Sequence, residues 1–206
     1  TKIFIDQEGG RVQRIKTDNG GIRNYPPQKY FGDLYRINAD QACKEVYDNY
    51  YQLGQELKAL GIDVTFAPVC DLYHPKQDKV IGDRAFSDDP DIVILLAARA
   101  LKALQDSGIK GVIKHITGHG RATKDTHKAL PKVDNKLSEL EETDFKVCGA
   151  LADNASIAMT AHIVYSSLDP KNIITQSPKA IDYIRNQIGF TGLIISDDIR
   201  MQALTG

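Results

Sequence analysis

Five short runs rich in β-branched residues recur along the chain, and each ends in an acid or a histidine: Lys2 to Asp6 (KIFID), Asp63 to Asp71 (DVTFAPVCD), Gly111 to His115 (GVIKH), Ser156 to His162 (SIAMTAH) and Leu193 to Asp198 (LIISDD). Each is nearly all apolar before its polar end, which predicts strands covered on both faces, as parallel strands between helices are. The segments between them carry helical spacing. One helix is predicted from about Asp40 to Leu60, with Val46, Tyr50, Leu53, Leu57 and Leu60 at steps of four and three and Gly61 as its stop. A second opens at Asp89-Pro90 and stops at Gly108. A third begins at Ser138 with Glu141 in capping-box spacing and carries Leu140, Val147 and Leu151 inward. A fourth starts at Ser177-Pro178, buries Ile181, Ile184 and Ile188, and ends at Gly189. Such alternation predicts an α/β fold with right-handed crossovers.

Two architectures compete. A doubly wound sheet announces itself by a glycine-rich turn, but GHGRAT at Gly118 to Thr123 has two glycines where the dinucleotide fingerprint needs a third. In a (β/α)8 TIM barrel the reactive residues sit at the C-terminal ends of many strands, as all five runs here would have it. Five strands do not close such a barrel. The expectation is therefore a TIM barrel incomplete at both ends, with residues 1–206 a single barrel domain, since no Ser/Gly linker, charge block or low-complexity stretch divides the chain.

Charge is nearly balanced, 26 Lys and Arg against 27 Asp and Glu, so the basic footprint of a general nucleic-acid binder is missing. The longest apolar run, Ile92 to Ala98, falls far short of the roughly 20 residues a membrane span requires. Cys43, Cys70 and Cys148 are odd in number and far apart, which predicts a reducing, cytoplasmic setting rather than a disulfide framework. The chain enters a strand pattern within two residues of Thr1, so its start reads as a cut, and a targeting segment could precede it.

Three clusters carry chemistry. In Ser196-Asp197-Asp198, strand alternation sends neighbouring carboxylates to opposite sides. An acid there can serve as nucleophile, base or metal ligand, or can cap a following helix containing Met201 and Leu204. The segment KHITGHGRATKDTHKALP, Lys114 to Pro131, holds three of the five histidines. In its Asp125-Thr126-His127, the i, i+2 spacing puts carboxylate and imidazole on one face of an extended chain, as an acid/base dyad requires. The same residues could be exposed loop or metal ligands. In IDQEGGRVQR, Asp6 ends a strand, Gly9-Gly10 permit a sharp bend, and Arg11 and Arg14 return toward Asp6. An Asp with an Arg grips vicinal sugar hydroxyls, and equally forms a structural ion pair. Arg84, in GDRAF, has the same two readings, while His162 is read as shaping the pocket rather than reacting.

Taken in order, IDQEGGRVQR, GDRAF, KHITGHG followed by DTH, TAHI and ISDD resemble the β-N-acetylhexosaminidases of glycoside hydrolase family 3 over essentially the whole chain. The resemblance implies a retaining glycosidase that removes terminal β-linked N-acetylglucosamine, in bacteria from muropeptides during cytoplasmic peptidoglycan recycling. It implies Asp197 as nucleophile, His127 as general acid/base polarised by Asp125, and Asp6, Arg14, Arg84, Lys114 and His115 as the residues holding the sugar. No metal or organic cofactor is implied, the partner is a small carbohydrate, and a monomer is expected. Ile116-Thr117 depart from the family, which has Phe-Pro before Gly-His-Gly; without the proline the loop backbone is freer. Two other readings stay open: a metal-dependent barrel hydrolase using His115 and His127, and an inactive truncated sugar-binding fragment.

Overall fold

The structure is a computed structural model and describes residues 1–19, 21–75, 80–122 and 130–201. Its strands are β1 (Phe4–Ile5), β2 (Gln7–Gly9), β3 (Val12–Gln13), β4 (Val64–Thr65), β5 (Lys110–Gly111), β6 (Ile113–Ile116), β7 (Lys132–Val133), β8 (Ile157–Thr160), β9 (Val164–Tyr165) and β10 (Leu193–Ser196). Its helices are α1 (Gln28–Tyr35), α2 (Ala39–Ala59), α3 (Pro90–Ser107), α4 (Leu137–Glu142), α5 (Asp144–Leu151) and α6 (Pro178–Asn186).

Each of the five expected runs contains a strand, shorter than its apolar pattern. β1, β4 and β5 pair in parallel in that order, and so do β6, β8 and β10. A parallel bridge between Val69 and Lys114 joins the two sheets, reinforced by Val112 N–H donating to the Ala67 carbonyl at 2.9 Å. The strands therefore neighbour one another in chain order, as in a barrel wall, but no closed barrel forms among the described residues. Val64, Val112, Ile157 and Met159, with Phe66 and Ile195 against them, form one apolar cluster along this wall.

The helices cover the other face. α2 presents Ala42, Val46, Tyr50, Leu53 and Leu57 to the core, all fully buried, at steps of four, four, three and four. It crosses α3 closely: a Cβ on Gly54 would lie 1.9 Å from the Ser107 hydroxyl oxygen. α3 begins as expected, with Asp89 accepting from Asp91 N–H and Pro90 at the first position, and ends at Gly108 in the left-handed conformation. α6 likewise begins with Ser177 accepting from Ala180 N–H. It stops at Asn186, before Gly189, so Ile188 is buried from beyond the helix.

The third helix departs from its prediction. Two short helices replace it, broken at Thr143, and the cap position is Lys136 with no side-chain cap, so the Ser138/Glu141 capping box does not form. The cause is a contact from another element. Arg121 reaches across to Glu139 (2.8 Å), Thr143 Oγ1 (2.9 Å) and Asp144 (2.6 Å), gathering the junction around one guanidinium. α1 is an addition. Its buried Gln28 clips the strand wall from the helix side: Gln28 Oε1 accepts from Val69 N–H at 2.8 Å and Tyr50 O–H at 3.0 Å, and Gln28 Nε2 donates to the Val69 carbonyl at 2.7 Å.

Candidate active site

The expected strand ends meet around a cavity of about 520 Å³ whose wall includes Asp6, Arg14, Arg84, Lys114, His115 and Asp197. The first contribution comes from an antiparallel hairpin, β2 with β3, which Gly9 and Gly10 turn at φ +106° and +56°. The hairpin returns Arg14 beside Asp6, Nη2 donating to Oδ2 at 2.8 Å, whereas Arg11 turns away to Asp83 at 2.8 Å and the Val80 and Ile81 carbonyls. The other Asp6 oxygen accepts from Lys114 Nζ at 2.9 Å. Burial alone would raise the Asp6 pKa, but Lys114 and Arg14 beside it outweigh that and hold the carboxyl below its ordinary range.

Glu8, two residues on from Asp6 and 2% exposed, was not anticipated. It receives Arg84 through two bonds, Nε to Oε2 at 2.9 Å and Nη2 to Oε1 at 2.8 Å, and lies 2.5 Å from Lys114 Nζ. Asp6 and Glu8 thus hold three cations, Arg14, Arg84 and Lys114, in one array. Three cations against two carboxylates leave the array a surplus positive charge on the cavity wall, which suits hydroxyl and carbonyl oxygens of a sugar.

The same cavity wall also carries His115 and Asp197. Lys114 and His115 are adjacent in β6, where strand alternation would part their side chains, but the pairing with β8 shifts register between Lys114 and Ile116 and both reach the cavity. His115 Nδ1 lies 2.6 Å from Asp71 Oδ2, and His115 Nε2 lies 3.7 Å from Asp197 Oδ2. Asp71 Oδ1 also accepts from His119 N–H at 2.6 Å. Burial pushes the Asp71 carboxyl upward, yet His115 and His119 against it bring it below the ordinary carboxylate range. Burial also draws the His119 imidazole down to about 4, with His115 adding to the effect.

The carboxylate pair after β10 divides as alternation requires. Asp197 turns to His115, with its Oδ1 accepting from Asp198 N–H at 2.8 Å, while Asp198 turns outward to the Arg200 backbone N–H (2.9 Å) and guanidinium. Beneath them, fully buried His162 reaches the Asp198 carbonyl through Nε2 at 3.2 Å and Thr175 Oγ1 through Nδ1 at 2.8 Å. His162 therefore supports the turn that carries Asp197.

Asp125 and His127 lie outside the described residues. Of the sequence-derived set, the structure brings together Asp6, Arg14, Arg84, Lys114, His115 and Asp197, and adds Glu8 and Asp71. Asp6 and Glu8 share i, i+2 spacing in an extended stretch, a signal that was open to reading; the burial of Glu8 was not. Among the described residues no group of three or more His, Cys, Asp or Glu side chains converges as a metal cage would, and no helix is long and apolar enough to cross a membrane. The three cysteines are free.

Comparison with known proteins gives this geometry a setting. A protein of Nitrosomonas eutropha named Beta-hexosaminidase is 39% identical over 202 residues, 98% of this chain and 57% of that protein. The NagZ structure from Neisseria gonorrhoeae in complex with N-trifluoroacetyl-D-glucosamine superposes with a TM-score of 0.90 at 35% identity, covering 97% of this chain and 58% of that one. A glycoside hydrolase family 3 beta-N-acetylglucosaminidase from Paenibacillus sp. str. FPU-7 matches at the same TM-score and 31% identity, over 99% of this chain and 38% of that one. The chain spans somewhat over half the length of the curated relatives it matches. Residues 2–206 match the glycosyl hydrolase family 3 N terminal domain, and the chain belongs to that family.

Proposed function

We propose that the protein is a retaining β-N-acetylhexosaminidase that removes terminal non-reducing β-linked N-acetylglucosamine, acting on muropeptides in cytoplasmic peptidoglycan recycling. The observation that carries the reading is Asp197, a half-buried carboxylate lining the same cavity as Asp6, Arg14, Arg84 and Lys114. Residues 1–206 are then a single partial domain of a (β/α)8 barrel, consistent with five strands neighbouring one another in chain order.

In this mechanism Asp197 attacks the anomeric carbon as the glycosidic bond breaks, and His127 donates its proton to the departing oxygen. Water then attacks the same carbon, its proton passes to His127, and the bonding pair returns to Asp197. Retention requires nucleophile and acid/base about 5–5.5 Å apart. An imidazole suits both halves because its ordinary pKa lies near neutrality, and Asp125 would orient it. A neutral base also avoids like-charge repulsion with Asp197 and with an anionic muropeptide. The cation array grips the sugar hydroxyls, and the chemistry calls for no metal or organic cofactor. The intact protein acts as a monomer.

Support also comes from the relatives named Beta-hexosaminidase and from the beta-N-acetylglucosaminidase fold match. The test is release of p-nitrophenol by the intact protein from its β-N-acetylglucosaminide and from its β-glucoside. A strong preference for the former is expected; equal or reversed rates overturn the assignment.

A further inference from the structure

Asp71 is 1% exposed and engages three donors, although no role for it follows from the sugar-binding and nucleophile assignments above. Its Oδ1 accepts two backbone N–H groups, from His115 at 3.2 Å and from His119 at 2.6 Å. Its Oδ2 meets His115 Nδ1 at 2.6 Å. A carboxylate oxygen can only accept, so the ring nitrogen facing it must carry the proton. Nε2, on the far side of the ring, is left toward Asp197 at 3.7 Å. The three groups form a line: buried carboxylate, imidazole, reacting carboxylate.

We propose that Asp71 is a positioning residue for the glycosidase reaction: it fixes His115 with the proton on Nδ1 and holds Nε2 toward Asp197 and the bound sugar. The inference rests on the reading of Asp197 as nucleophile. With the ring clamped from behind, Nε2 can accept from a sugar hydroxyl without the ring turning. Asp71 is therefore also what keeps the lone pair on Nε2 available. His119 adds rigidity from the side, its ring centroid 5.1 Å from that of His115 and its backbone tied to the same Asp71 oxygen.

The backbone donors make one substitution unusually informative. In Asp71→Asn, the two N–H groups at the Oδ1 position require an acceptor, so the amide carbonyl must sit there. The amide NH2 then replaces Oδ2 and points one N–H at His115 Nδ1. That nitrogen must become the acceptor, and the proton must move to Nε2. The side chain keeps its shape while the tautomer reverses.

The test combines ¹⁵N NMR of histidine-labelled intact protein, with the His115 resonances assigned from a His115→Gln sample, and turnover of p-nitrophenyl β-N-acetylglucosaminide. The wild-type spectrum should show His115 protonated on Nδ1, and Asp71→Asn should show it protonated on Nε2 alone. The same variant should lose at least about 10-fold in kcat, and less than the roughly 10⁴-fold that a wrong tautomer costs at a general-base histidine. A wild-type His115 with a bare Nδ1 overturns the proposal, and that spectrum decides even where the variant does not fold. An unreversed tautomer in Asp71→Asn overturns it, as does a reversed one with wild-type turnover. Failure of the underlying reading is separately visible: Asp197→Ala with undiminished turnover would remove the nucleophile while leaving the tautomer result intact.

Discussion

Glu8 and Arg84 face each other through two hydrogen bonds of 2.9 and 2.8 Å, and the same carboxylate lies 2.5 Å from Lys114 Nζ. Glu8 and Lys114 are 2% and 3% exposed, so the hub has little solvent to screen it. Replacing Glu8 with Ala leaves Arg84 without its carboxylate partner and Lys114 with Asp6 alone. Loss of one partner from a buried ion pair costs about 3–5 kcal/mol. Glu8→Ala should therefore lower the denaturation midpoint substantially, and in whatever folds the KM for the N-acetylglucosaminide should rise because Arg84 and Lys114 are no longer aimed. Unchanged stability and KM in this variant would refute the hub.

His119 makes stability depend on pH. Its folded pKa, drawn to about 4 mainly by burial, lies below the 6.5 of an ordinary histidine. Between these values the unfolded chain binds the proton more readily, so the contribution is complete above about pH 6.5 and is lost as pH falls toward 4. The shift corresponds to about 3 kcal/mol. Urea unfolding of wild type and His119→Gln across this window should show the wild type losing more stability; parallel curves would remove His119 as the cause.

His162 is predicted to act on turnover rather than on binding. The Asp198 carbonyl can only accept, so Nε2 carries the proton, and Nδ1 lies 2.8 Å from the Thr175 hydroxyl oxygen on the other side of the ring. Removing this brace in His162→Ala frees the turn that aims Asp197, and misplacement of a reacting group by about 1 Å can cost 10²-fold. A fall in kcat of about 10–100-fold with KM nearly constant is expected. A change confined to KM would assign His162 to substrate binding instead.

Gly120 tests how tightly the two loops beside His115 are packed. A Cβ there would lie 2.0 Å from the Leu72 carbonyl oxygen, one residue along from Asp71. Backbone cannot yield as a flexible side chain does. Gly120→Ala should cost about 1–3 kcal/mol, the range for overpacking, and reduce kcat by shifting Asp71 relative to His115. Both are read from a thermal melt and an assay on one sample, and a variant as stable and active as wild type would contradict the packing.

The features legible in the sequence were those whose causes are local. Asp89, Gly108 and Ser177 end their helices as expected because a cap or a left-handed glycine acts within a turn. The break at Thr143 was not legible, since Arg121, more than twenty positions away, creates it. The cavity shows the same division. Asp6, Lys114, His115 and Asp197 close recognisable strand patterns, whereas Glu8 and Asp71 matter through burial and through partners from other strands. Asp71 ended a predicted strand, but only the bridge between Val69, beyond the end of β4, and Lys114 of β6 sets it behind His115.

The central claim is that Asp197 becomes covalently bonded to the sugar during turnover. Incubating the intact protein with a fluorinated N-acetylglucosamine donor that slows breakdown of the glycosyl-enzyme, then digesting it and mapping the adduct by mass spectrometry, tests this directly. The modified peptide should be the one spanning Leu193 to Asp198 with the sugar on Asp197, and Asp197→Ala should form no adduct. An adduct on another residue, or full turnover in Asp197→Ala, would contradict the account.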